Sequence, residues 1–213
     1  MGVKVVTCEV IDIFEAAGRR VTSCRAQPLD TCIRLATQAL APFTEAATSP
    51  TQFLIEQQPM RLGGAGGSRM KALSMGIYGW FLGRTAHPAG FYHAKHKQNV
   101  GRLIPEVLPP DTRTLLERWA GTKVYAERKS LGVQCVRALC EAGVVCGNEQ
   151  SRACLSSAKA DDAADAISQG LHWLLSRKRG APRRVVSIDI GMRNLAVAVL
   201  EECDSDGAGE GAQ

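Results

Sequence analysis

No apolar run in this 213-residue chain approaches the roughly 18–20 residues that a membrane-spanning helix needs, so none is expected. The opening stretch "MGVKVVTCEV" lacks both the pattern of a secretory signal and that of an Arg/Ser-rich transit peptide. An intracellular protein is therefore expected. The eight cysteines, Cys8, Cys24, Cys32, Cys135, Cys140, Cys146, Cys154 and Cys203, include no C-x-x-C pair, which argues against a zinc knuckle. Reduced thiols are the default expectation, several of them acting as small core residues. There is no internal repeat. The glycine-rich "RLGGAGGSRM" (61–70) lacks the G-K-[ST] ending of a nucleotide-binding loop and reads as a flexible connection that can touch phosphate. After Leu200 there is no Lys or Arg, only Glu201, Glu202, Asp204, Asp206 and Glu210.

What is present points to one domain over residues 1–203, followed by an acidic, disordered tail over 204–213. With the five C-terminal acids set aside, 26 basic residues face 16 acidic ones, a net +10 instead of the +5 of the whole chain. The positive charge gathers in "RMK" (69–71), "HAKHK" (93–97), "ERK" (127–129) and "RKRGAPRR" (177–184), and basic patches on a folded domain suit a polyanion. Strands are predicted over 3–14, 52–59, within 99–109, and over 185–190 and 195–201. Helices are predicted over 29–47 (with Pro42 bending or ending the helix), 69–84, 129–142 and 156–179. Residues 85–112, rich in His, Pro and Gly, give no clear pattern. Tyr78, Trp80 and Phe81 have the spacing of core residues, and His87, His93 and His96 read as solvated or DNA-facing.

Several acids stand where folding alone would not put them. Asp189 interrupts the β-branched run "VVSIDIG", and Glu56 ends the apolar run "FLIE". Asp162 and Asp165 are three apart at the start of a predicted helix and share a face. Burying carboxylates together is costly, and a divalent cation is the usual remedy. An all-oxygen donor set suits Mg²⁺, with Mn²⁺ as a substitute, rather than zinc. Four such acids can hold two metals about 4 Å apart, the arrangement that hydrolyses phosphodiesters.

The segments "SIDIGMRNLAVAVLE", "FLIEQQP", "RMKALSMGIYGWF", "ERKSLGVQCVRAL" and "KADDAADAISQGL" resemble the motif series of the poxvirus- and iridovirus-type Holliday junction resolvases, relatives of RuvC. The resemblance covers most of residues 3–201. It implies an α/β protein of ribonuclease H-like fold, a five-stranded mixed sheet flanked by helices. It implies a Mg²⁺-dependent crossover junction endodeoxyribonuclease with two ions per site, a homodimer that cuts four-way DNA in recombination or repair. The implied surroundings are a viral replication compartment, nucleus or cytoplasm. By motif, Asp189, Glu56, Asp162 and Asp165 match the metal-binding acids, with Asp161 and Lys159 in supporting positions. Lys129, Arg128, Lys159, Arg69, Lys71 and Arg193 are the candidate DNA contacts. Neither a membrane nor a small-molecule cofactor is implied.

The order departs from the family, in which the "SIDIG" hairpin opens the chain; here it comes last, as in a circular permutation. A hairpin exchanged with a partner subunit and a mis-assembled reading frame are the alternatives. Two other functions compete with the nuclease. One is a non-catalytic branched-DNA-binding protein of the same fold. The other is a fragment of an actin-like ATPase, whose first phosphate hairpin "DIGMRNLAVAVL" also resembles.

Overall fold

The computed structural model of the chain describes residues 2–21, 26–45, 51–57, 65–93, 96–104, 108–178, 180–191 and 193–203. In chain order the elements are β1 (Gly2–Asp12), α1 (Leu29–Glu45), β2 (Thr51–Gln57), α2 (Ala65–Arg84), β3 (Ala89–His93), a 3-10 helix (Lys97–Arg102), α3 (Pro110–Gly121), α4 (Tyr125–Glu141), β4 (Val145–Cys146), α5 (Glu149–Ser156), α6 (Ala160–Ser176), β5 (Arg184–Ile190) and β6 (Asn194–Cys203). The strands form one mixed sheet in the order β3-β2-β5-β6-β1-β4. β5, β6 and β1 are an antiparallel meander, whereas β2 runs parallel to both β5 and β3. The protein is thus α/β, with the hairpin β5–β6 at the centre of its own chain's sheet.

Both faces of that hairpin are covered, which is why "RVVSIDI" and "NLAVAVL" read as nearly continuous apolar runs. Val186, Ile188, Ile190, Val197 and Val199 pack against α1 and α2. Val185, Ala196, Ala198 and Leu200 pack against a second core built from α3 to α6. The alanines let α6 come close. A Cβ at Gly170 would lie 2.6 Å from Leu200 Cδ1 and 3.3 Å from Ser187 Cβ, so this crossing needs glycine. Close docking of α6 fixes the position of its acidic first turns.

Several sequence expectations are corrected. The sheet has six strands rather than five, because the two-residue β4 adds in parallel to the edge of β1. Where a strand is expected within 99–109, the first residues belong to the 3-10 helix Lys97–Arg102, and 105–107 lie outside the described residues. The helix expected over 156–179 is the shorter α6, Ala160–Ser176, and a separate helix, α5, ends at Ser156 before it. Ser157 Oγ donates to the Cys154 carbonyl and accepts from the Lys159 amide, local bonds that compete with helix continuation. Asn148 caps α5, its Oδ1 accepting from the Ser151 amide at 2.8 Å. Pro42 does not end α1, which continues to Glu45 although Gln38 loses its helical donor. α2 begins at Ala65, inside the stretch read as a loop; 58–64 and the tail 204–213 lie outside the described residues. β3 and α3 had no counterpart in the sequence reading. Pro110 at the first helical position suits the start of α3. Among the described residues no helix is long and apolar enough to cross a membrane, and the seven described cysteines are free thiols.

The ends of the hairpin explain how such an order is connected. Gly2 and Cys203 are direct partners across β1 and β6, and Arg177 and Arg183 both ion-pair with Glu202, clamping the α6–β5 link. A chain that joins Cys203 to Gly2 through about four residues, and opens between Lys178 and Ala181, requires only a hairpin turn. Such a permutant is expected to fold, melting within about 5 °C of the natural order, a shift of about 1–2 kcal/mol. Failure to fold, seen by circular dichroism and thermal melting, would contradict this topology.

Candidate functional site

β2 and β5 lie side by side in parallel, with Ile55 opposite Ile188. Side chains alternate along a strand, so Glu56 and Asp189, one residue on, both point to the α6 face. Gly191 ends this stretch where the chain must turn sharply: its amide donates to the Asn194 carbonyl at 2.8 Å, and a Cβ there would sit 2.9 Å from that oxygen. On the facing helix, Gln169 Nε2 reaches the Leu54 carbonyl at 3.5 Å. Asp165, one helical turn before Gln169, is thereby held over the ends of the two strands.

Glu56, Asp165 and Asp189 meet around one buried cation, Lys97. Its Nζ lies 2.8 Å from Asp165 Oδ2 and 3.5 Å from Glu56 Oε1, with only 9% of its side chain exposed. Glu56 and Asp189 are hydrogen-bonded to each other. Burial pushes the Asp189 carboxyl well above the ordinary range, and the neighbouring Glu56 adds to this. For Glu56 burial opposes ionisation, but the bond from Asp189 and the charge of Lys97 hold its carboxyl below the usual range. Asp165 is raised by burial and by Glu56, against the pull of Lys97. The Lys97 ammonium is opposed by burial, yet Asp165, Glu56 and Asp189 together raise its pKa.

The rim is formed by a second lysine. Lys129 on α4 ion-pairs with Asp161, and its Nζ is 3.5 Å from Asp162 Oδ1. Arg128, its neighbour, lies over the Tyr125 ring. The structure thus joins Asp189, Glu56 and Asp165 directly, and brings Asp161 and Asp162 to their edge through Lys129. Lys159 is exposed beside the start of α6. Arg69 instead ties α2 to the start of α1, donating to the Gln27 carbonyl and to Cys32 Sγ at 3.7 Å. Lys71 is partly buried on the same helix. Arg193 holds the turn at the end of β1 by pairing with Asp12, whose carboxylate also accepts from the Phe14 and Glu15 amides at 3.0 and 3.1 Å.

Two features escaped the sequence reading. Lys97 was legible only as part of a basic run; its burial depends on β3 pairing with β2, which sets Tyr92 opposite Glu56 and the 3-10 helix beside it. His172 was not singled out. It accepts from or donates to Tyr92 Oη through Nδ1 and packs on His96, ring centroids 5.6 Å apart; burial and His96 lower its pKa to about 4. His93 and His96 are exposed, as read.

Among the described residues no group of three or more His, Cys, Asp or Glu side chains is arranged to hold a metal ion. Lys97 pairs with Asp165 and Glu56, and Lys129 with Asp161 and Asp162. The donor set itself is all oxygen and carries more negative charge than Lys97 cancels, which is the chemistry of a hard divalent cation site. Compared with models of protein families, with curated proteins and with solved structures, the chain matches none.

Proposed function

We propose that this protein is a Mg²⁺-dependent, structure-selective endonuclease of the ribonuclease H-like class that cuts four-way DNA junctions. The observation that carries the reading is the meeting of Glu56 and Asp189, on adjacent parallel strands, with Asp165 around the buried Lys97. A stability-driven core has little use for three acids there, since a buried carboxylate pair is costly. The strand order supports the same reading. Taken from Arg184 round through Gly2 to Ser176, the chain runs as a meander followed by two parallel strands and a closing acidic helix, the series the resolvase resemblance implies. The hairpin at the end then represents a circular permutation of that series.

Asp189, Glu56 and Asp165 would hold the ion, with Asp162 at its edge. A bound divalent cation would supply an activated water and neutralise charge on the leaving oxygen. The chain's own part is positioning and electrostatics. Ionised Glu56 orients a water. Lys97, held rigidly between two acids, places fixed positive charge where charge develops on the phosphate. Lys129 and Arg128 bind the flanking backbone. A two-fold dimer would set one such site on each of two opposed strands.

The specific observation for a second reading, a non-catalytic junction-binding protein, is that Lys97 and Lys129 each already pair with acids of the site. A cleavage assay separates the two. With a synthetic four-way junction and millimolar Mg²⁺, symmetric nicks are expected, absent in EDTA and lost for Glu56→Gln. Binding without any cut, in Mg²⁺ or Mn²⁺, would establish the second reading.

A further inference from the structure

The most exposed aromatic among the described residues is Tyr125, at 62%, beside Val124 at 60%. Phe14, Phe53, Phe81 and Trp119 are at most 1% exposed, and Phe91, the other exposed Phe, Tyr or Trp among the described residues, is at 38%. Leaving a ring in water forfeits the gain of burying it, about 25 cal/mol for each Å². Tyr125 stands at the first turn of α4, and the next turn carries two cations on the same side. Arg128 lies 5.4 Å from the ring centroid and Lys129 Nζ 5.5 Å from it. Lys129 is also the residue that reaches Asp161 and Asp162. One lysine ammonium therefore separates the exposed ring from the rim of the carboxylate site.

We propose that Val124 and Tyr125 form a stacking platform for a nucleobase next to the phosphate that lies over the carboxylates. This rests on the nucleic-acid part of the functional reading above and specifies how the strand is seated. An exposed π face flanked by cations is the pairing that single-stranded or splayed nucleotides use: the base stacks, and its phosphates meet Arg128, Lys129 and Lys123. The charge excludes an acid-free apolar partner as the better fit, because desolvating three cations on a hydrophobic interface is costly. At a junction, where stacking is interrupted at the branch point, a base there is more easily opened onto the ring than one inside a duplex, so the platform would favour branched over uninterrupted duplex DNA.

The test uses the full chain in EDTA, where no cut occurs, and four-way junctions carrying one 2-aminopurine walked across the branch point. The expected result is quenching at one position, lost in Tyr125→Ala and kept in Tyr125→Trp, with Tyr125→Ala weakening junction affinity about 5–150-fold, the range of one base–aromatic stack. Asp189→Asn should leave the quench intact. No quench at any position, or equal quench and affinity for Tyr125→Ala, overturns the platform. So does a change of oligomeric state in Tyr125→Ala, which would make the patch a contact between copies. If the wild type fails to cut but the Tyr125-dependent quench remains, the platform stands and the nuclease reading falls. If it cuts and Tyr125→Ala behaves as wild type, only the platform falls.

Discussion

Asp189→Asn is expected to abolish Mg²⁺-dependent cleavage and, in the same protein, to raise the melting temperature measured in EDTA. The two effects have one cause. Asp189 is the penultimate residue of the central strand β5, and burial, with Glu56 beside it, raises its carboxyl well above its ordinary value of 3.8 in the folded state. The unfolded chain gives up that proton near the ordinary value. Between the two the folded state binds more protons, so stability falls as pH rises through this window. An asparagine amide can donate to Glu56 without titrating, and it removes that loss. The gain in melting temperature should be nil near pH 4 and grow with pH, to about 2–8 °C for about 1–2 kcal/mol. Mg²⁺ should raise the melting temperature of the wild type and not that of the variant. The loss of cleavage should be about a thousandfold or more, the equivalent of several kcal/mol at the transition state. A variant that melts below the wild type in EDTA at pH 8, or that still cuts, would show that Asp189 is not the site's titrating ligand.

The acids of this site were legible in the sequence because each breaks a local rule. Asp189 interrupts a strand buried on both faces, Glu56 ends another, and Asp162 and Asp165 repeat at helical spacing. The central hairpin was legible for the same reason, since "VVSIDI" and "LAVAVL" are too apolar for an edge. What the sequence concealed depends on long-range pairing. β3 is five residues with a glycine and a histidine, and only pairing with β2 makes "AGFYH" a strand. Lys97 inherits that concealment, because a lysine in a basic run reads as solvated until the strand before it is placed. Arg69 and Arg193 carry intrachain bonds that no local pattern announces. Read as candidate DNA contacts, they also fasten α1 to α2 and β1 to the β5–β6 turn. Local charge shows which residues carry it and says nothing of which have an acid or carbonyl already waiting.

Lys97→Met is expected to destabilise the metal-free protein by about 3–5 kcal/mol, because it removes one partner of a buried ion pair and strands the other. That corresponds to a fall of about 6–20 °C in melting temperature for a chain of this size. The Nζ is the only cation within salt-bridge reach of Asp165 and Glu56 among the described residues, and the methionine would fill its stem's volume without its charge. Asp165 and Glu56 must then take up protons or repel, so the deficit should widen as pH rises from 5 to 8. Mg²⁺ at millimolar concentration should recover more stability in Lys97→Met than it adds to the wild type, since a cation bound among the acids replaces the missing charge. Lys97→Arg should not restore the wild-type melt, because a planar guanidinium does not fit a cleft shaped for a compact ammonium. The same variant separates structure from chemistry. If Lys97 only neutralises acids, Mg²⁺-loaded Lys97→Met regains both fold and cleavage; if it also stabilises charge on the phosphate, the fold returns and the rate does not. An unchanged melting temperature for Lys97→Met in EDTA would mean that the three acids are not held together by this lysine.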